Sequence, residues 1–407
     1  MTDFIGVLSA VNLQKLRDHA DDDAVDRLNH DITAVVLVAV AVVITTKNYV
    51  GDQIQCWSPG YFTSTYVDYT KKACWVTNTY YVPFDDAIPN QGADVSEMRI
   101  NYYQWVHFFL ICQAAMFYAP KVVWKALNGA SGVSVTALIE ATEMLDEPEQ
   151  RPATLRAMAR RIHRYLGHYR NKKGGRFAGI QDMLETRFRL TCGKKHGNYL
   201  TMLYMLTKII YLGNALLQLV FMNLFLSTDF HWYGIAVLRD LAQYKEWPES
   251  SRFPRVTMCD FEVRQLGNNI HRHTVQCVLP INFFNERIYL FLWFWVVLIV
   301  LCTAFSAVNW FMRVAFQGDR VRYVKLHLLT MGKLKGMSER KRCRPFVINY
   351  LRQDGVFLLR LIGLNKDEVV VAELLAELWD LYNEQYPTEP QAAALVGDPD
   401  VSETKVL

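Results

Sequence analysis

The sequence predicts an all-α membrane protein with four transmembrane helices, and three observations carry that expectation. Four long stretches lack Asp, Glu, Lys and Arg; the basic residues flanking them crowd one side; and half of the eight cysteines fall on the other side. With 51% hydrophobic and 21% charged residues over 407 positions, composition excludes chain-wide disorder and a collagen-like repeat, and 8 Cys are too few for a small disulfide scaffold. A net charge of +4, from 44 basic and 40 acidic residues, is too small to imply a nucleic-acid partner by itself.

The charge-free stretches are Ile32–Thr46 (15 residues), Tyr102–Pro120 (19), Ile209–Thr228 (20) and Ile288–Met312 (25). A spanning helix needs about 20 mostly apolar residues to cross about 30 Å of hydrocarbon, so the last three qualify directly. The first is short, but Lys47 can snorkel to the interface and let the helix run to Val50; its alternative, a buried core helix of a soluble domain, is disfavoured by three clear companions. It lies too far from Met1 for a cleaved signal peptide and is expected to act as a retained anchor. The expected organisation is an N-terminal segment (1–31), spans at 32–50, 102–120, 209–228 and 288–312, loops at 51–101, 121–208 and 229–287, and a C-terminal region (313–407).

Four spans put both termini on one side. Within 15 residues of the span ends, the side holding the termini and the 121–208 loop carries eleven Lys and Arg, and the other side carries Lys47, Arg99, Arg239 and Arg287. The positive-inside rule therefore places the termini in the cytoplasm and the 51–101 and 229–287 loops outside. Those outer loops hold Cys56 and Cys74, then Cys259 and Cys277, whereas Cys112 and Cys302 fall in spans and Cys192 and Cys343 in cytosol. An even set confined to the oxidising side fits a disulfide framework, with three pairings open to four cysteines. A zinc site using His271 and His273 is the alternative, and it lacks the closely spaced ligand pairs of structural zinc.

The second span opens with Tyr102-Tyr103-Gln104-Trp105-Val106 (YYQWV). With two cysteines in each outer loop, this string resembles the innexins, the invertebrate gap-junction family. The resemblance continues in Asp21–Asn29 (DDDAVDRLN), Cys56-Trp57, Cys74–Pro83 (CWVTNTYYVP), Phe253–Cys277, Asn285–Trp295 (NERIYLFLWFW) and Asp354–Ile362 (DGVFLLRLI), and so covers about residues 1–365. It implies a plasma-membrane subunit of a gap junction, an eight-membered hemichannel docked to one from the adjacent cell, homomeric or mixed with other innexins. It also implies a disulfide-bonded extracellular cap with some β structure, a helical cytoplasmic domain, and cysteine pairing between the loops, Cys56 with Cys277 and Cys74 with Cys259. One departure is clear: innexins usually carry proline after YYQWV, and this chain has His107. A proline there removes a backbone donor and kinks a helix, so the voltage gating of relatives is in doubt here, although Pro120 remains at the inner end of the span.

Phe4, Val7, Leu8 and Val11 follow the i, i+3, i+4, i+7 spacing of a short amphipathic helix. Such a helix can lie on the inner leaflet. The resemblance instead folds it into the channel mouth, where Thr2, Asp3, Phe4 and Val7 line the pore and the Asp3 carboxylates form a cation-favouring ring. Lys208, near the inner end of the third span, is expected to snorkel. Arg151–Lys195 carries 13 Lys and Arg against Asp182 and Glu185, which suits anionic membrane lipid or a solvated helical face; no nucleic-acid-binding motif accompanies it. The tail after Tyr386 reads as disordered. No N-x-Ser/Thr acceptor occurs that would put a glycan between docking loops. Phosphate-binding Gly loops, HExxH and GxSxG are absent, so neither enzyme activity nor a cofactor or metal is expected. A free hemichannel releasing small metabolites and a non-conducting four-span adhesion protein are the competing readings.

Overall fold

The computed structural model describes residues 21–50, 53–89, 98–129, 132, 134–146, 149–168, 197–226, 232–242, 252–264, 267 and 269–387. The N-terminal amphipathic stripe, most of the basic 151–195 loop beyond His168, and the tail from residue 388 lie outside them.

In chain order the helices are α1 (Ala24–Asn48), α2 (Ser64–Thr77), α3 (Val106–Gly129), α4 (Val135–Ala141), α5 (Arg151–His168), α6 (Tyr199–Leu226), α7 (Tyr233–Ala242), α8 (Pro280–Ala315), α9 (Gln317–Thr330), α10 (Met337–Pro345), α11 (Arg352–Asn365) and α12 (Glu368–Gln385). Helices α1, α3, α6 and α8 are each long and apolar enough to cross a bilayer. The Val-rich run Val35–Ile44 of α1 has strand propensity in water. In hydrocarbon a helix is preferred, because only helices and closed barrels satisfy every backbone polar group. Along α8, Leu298, Leu301, Phe305, Val308 and Met312 recur at helical spacing and are exposed, as expected of a face that meets lipid or another chain instead of water.

The chain divides into two compact units. One comprises, among described residues, Leu28–Pro120 and Ile210–Ala304; the other comprises residues 21–27, Lys121–Ile209 and 305–387. In the first, strands β1 (Gln55–Trp57), β2 (Thr79–Tyr80), β3 (Arg99–Ile100), β4 (Val256–Arg264) and β5 (Ile270–Val278) form one antiparallel sheet in the order β1-β5-β4-β2-β3. The strands of the 51–101 segment thus flank the β4–β5 hairpin of the 229–287 segment. Period-2 alternation turns Thr257, Cys259 and Phe261 of β4 inward. The core of this unit includes Leu37, Tyr103, Leu110, Phe117, Phe253 and Tyr289. Gly234 allows close packing: a Cβ there would fall 2.1 Å from the Trp293 ring.

The second unit is helical. Its core gathers Trp124, Tyr204, Trp310, Phe346, Phe357 and Trp379. On α5, Leu155, Met158, Ala159, Ile162, Tyr165 and Leu166 are buried at helical spacing, while Arg156, Arg160, Arg161 and Arg164 are exposed, so this part of the basic segment is a solvated face. Arg151 at the start of α5 holds Glu373 of α12 through paired hydrogen bonds of 3.0–3.1 Å. Gly197 sits at φ +67°, where a Cβ would lie 2.6 Å from Arg352 Cδ, and its carbonyl accepts from the Asp354 N–H.

Candidate functional site

The sheet brings the four outer cysteines together. Cys56 of β1 lies opposite Cys277 of β5 and is bonded to it; Cys74, buried in the last turn of α2, is bonded to Cys259 of β4. The Sγ atoms of Cys56, Cys74 and Cys277 all lie within 4.8 Å of one another, so the two bridges form one sulfur cluster. Consumed in disulfides, Cys259 and Cys277 offer no thiolate to a zinc ion. His273 instead packs against Phe62, Tyr66 and Phe261. At the rim, Asp260 accepts from Arg272 at 2.7 Å and from the Tyr80 hydroxyl at 3.2 Å, and burial together with the adjacent carboxylate pushes the Tyr80 phenol up to about 12.

The YYQWV string ties α3 into this cap. The Tyr102 hydroxyl donates to the Arg252 carbonyl at 2.9 Å, and the Tyr103 ring, fully buried, packs on Trp75 at 5.0 Å. Gln104 donates to the Trp75 carbonyl and, at 3.2 Å, to Asn78, the residue that ends α2 with φ +69°. Val106 is buried, whereas Trp105 is exposed, as an interfacial anchor would be. Because Cys74 immediately precedes Trp75, these contacts position the α2 cysteine for its bridge.

His107 occupies the first turn of α3, buried, with its ring 4.0 Å from Phe108 and its Nδ1 without a hydrogen-bond partner among the described residues. A first-turn position tolerates proline without a kink, so the geometry corrects the expectation attached to this site. What differs from the usual proline is a polar ring, not a lost bend. Pro120 lies inside α3, where a proline removes a helical hydrogen bond.

In the second unit, Lys208 does not snorkel. It is fully buried and donates to Asp23 at 2.6 Å, Asp26 at 2.8 Å and Ser306 at 2.9 Å. Asp23 Oδ1 caps α1 by accepting the Val25 and Asp26 N–H groups, while its Oδ2 also accepts from Ser306 and Trp310 at 2.9 Å. The Tyr204 hydroxyl donates to Asp26 at 2.7 Å, and Trp124 donates to Asp21 at 3.2 Å. One ammonium therefore satisfies two buried carboxylates drawn from a segment 182 and 185 residues earlier. Nothing local in the sequence signals that pairing; the signal available was an acidic run, Asp21–Asp23, beside an apolar helix, and a lysine inside another. On α11, Asp354 accepts from the Thr201 N–H and hydroxyl of α6 and from Tyr165, and burial raises its carboxyl above the usual range. Thr2, Asp3, Phe4 and Val7 lie outside the described residues.

Comparison with known proteins agrees with this architecture. The innexin family model matches residues 22–382. The chain is 39% identical over 372 residues to Innexin unc-9 of Caenorhabditis elegans, covering 91% of this chain and 94% of that protein. It is 36% identical to Innexin-3 (89% and 84%) and 33% identical to Innexin-12 (96% and 94%) of the same organism. A near full-length family match, four bilayer-length helices and a doubly bridged sheet converge on one conclusion: this chain is a member of the innexin family.

Proposed function

We propose that the chain is a gap-junction channel subunit that passes ions and small solutes by diffusion, with no chemical step. The observation that carries this reading is the cap: two disulfides and one sheet join the described residues of the 51–101 and 229–287 segments, which suits docking between like surfaces. In this reading the termini and the 121–208 loop are cytoplasmic, eight subunits surround a water-filled pore, alone or mixed with other innexins, and hemichannels of adjacent cells meet cap to cap. Thr2, Asp3, Phe4 and Val7 line the pore, and the YYQWV segment with His107 and Pro120 links the cap to the span that gates.

Dual whole-cell recording from paired cells expressing only this chain tests it. Junctional current is the expected result. Membrane current or dye uptake in single cells without junctional current would instead establish a free hemichannel, and silence in both at normal surface expression would leave an adhesion role or an obligate partner subunit. Asp3→Asn is expected to lower cation preference; an unchanged reversal potential in asymmetric salt removes Asp3 from the pore.

A further inference from the structure

Where α8 ends, an open cleft of ≈ 490 Å³ lies among Asn309, Met312, Arg313, Phe316, Tyr323 and Arg360, with Asp319, Leu364 and Glu368 completing its wall. This is within the size range of small-ligand sites. A second void of ≈ 10 Å³ adjoins the same two arginines, Arg313 and Arg360, and adds Arg320. Arg313 and Arg360 therefore line the cleft itself, and Arg320 stands behind them at the smaller void.

The acidic residues of the cleft are already engaged. Asp319 accepts from Arg360, and Glu368 accepts from the Tyr323 hydroxyl at 3.1 Å with His327 Nε2 3.0 Å away. Among the described residues, neither Arg313 nor Arg320 has an ion-pair partner; Arg313 only lies over the Trp310 ring, at 5.8 Å. Arg360 is 8% exposed, yet among the described residues its Nε has no hydrogen-bond partner, and neither has Arg320 Nε. Burial and the Arg360 charge hold the Arg320 guanidinium below its ordinary range. Helix α9 starts at this opening; its N-cap residue, Phe316, makes no side-chain capping bond, and its first turn carries Asp319.

The rest of the lining is apolar and exposed. Met312, Phe316 and Leu364 are 47%, 55% and 47% exposed, and the first of them belongs to the outward stripe of the bilayer-length helix α8. A soluble anion has no use for that surface, and an acyl chain does. Guanidinium forks clustered in this way match a dianionic phosphomonoester better than the diester of a zwitterionic lipid.

We propose that this cleft binds a phosphomonoester-bearing membrane lipid of the phosphoinositide class, its phosphate on Arg313 and Arg360 with the Arg320 charge behind them, and its chains along Met312, Phe316 and Leu364. On the proposed topology the cleft opens at the inner leaflet, where such lipids and basic pockets at helix ends meet. Conduction is not needed for this binding, so failure of the channel reading would leave it intact.

The test is equilibrium binding to the purified full-length oligomer in detergent. The probes are short-chain phosphatidylinositol 4,5-bisphosphate, phosphatidylserine, phosphatidylcholine and soluble inositol trisphosphate. Saturable binding of the phosphoinositide, at least tenfold tighter than the other three, is expected. Arg313→Gln with Arg320→Gln should weaken it at least tenfold, while Arg156→Gln with Arg160→Gln on the solvated face of α5 leaves it unchanged. If the double variant fails to assemble, Leu364→Ser at an exposed position serves in its place and should weaken lipid binding while adding no charge beside the arginines. Undiminished binding in the assembled cleft variants overturns the site. Equal affinity for phosphatidylserine overturns the phosphomonoester, and equal affinity for inositol trisphosphate overturns the lipid in favour of a soluble phosphate.

Discussion

The cap and the Lys208 cluster solve the same problem with different bonds. Each ties together segments roughly two hundred residues apart in sequence: the bridges span 221 and 185 residues, and Lys208 reaches back 182 and 185. The cap does so covalently, with partly exposed polar segments and a sheet whose outer strands are two or three residues long. The second unit has a large helical core and uses charge, burying one lysine among two aspartates, a serine and a tryptophan. Covalent closure raises stability chiefly by restricting the unfolded chain and tolerates water nearby. A buried ion network tolerates neither water nor a missing member, because the remaining charge is stranded in low dielectric. The first staple can be reduced; the second can only be unbalanced.

The largest effect should come from unbalancing it. Lys208→Met leaves Asp23 and Asp26 without their counter-charge and is expected to cost about 3–5 kcal/mol, seen as loss of the folded oligomer on fluorescence-detected size exclusion. Adding Asp26→Asn to Lys208→Met should recover part of that loss; additive damage would mean that the network is not a unit. Cys74→Ser, which frees Cys259, should cost about 2–5 kcal/mol and abolish junctional current. Normal coupling in that variant would show that one bridge suffices and would break the comparison from the cap side. Arg272→Gln removes an ion pair whose side chains remain partly exposed, so melting temperature and coupling should stay near wild type. A large loss there would mean that the cap also depends on charge.

The smallest effect is a pH dependence. Because burial raises the folded-state carboxyl of Asp354 above its unfolded value, its contribution to stability is full below about pH 4 and is lost as pH rises through the folded value. Asp354→Asn, which can still accept both Thr201 bonds, should flatten the melting-temperature profile across that window. An unaltered slope assigns the pH dependence elsewhere.

Fold class was legible in the sequence because hydrocarbon is an unforgiving solvent: stretches without Asp, Glu, Lys or Arg stand out against everything else. Helix ends were less legible. Helix α1 begins at Ala24, ahead of Ile32, because Asp26 and Asn29 are buried and bonded, not because that turn is apolar. Cysteine spacing showed that the outer loops hold a disulfide set and left the partners open; the register of β1 on β5 is a tertiary fact that supplies one of them. Lys208 was visible as an anomaly, but its partners were hidden by sequence distance, and the same distance concealed the arginines converging at the end of α8. At His107 the residue was legible and its backbone context was not.

The span of the two bridges also dictates an order of manufacture. On the proposed topology, Cys56 and Cys74 reach the oxidising compartment first, and neither has its native partner until residues 259 and 277 have been made. At the usual pace of synthesis that wait is roughly 10–40 s, within the time in which a disulfide can form. The nearest oxidisable partner for each is then the other. Biogenesis must therefore either keep the first loop reduced or undo a premature Cys56–Cys74 bond.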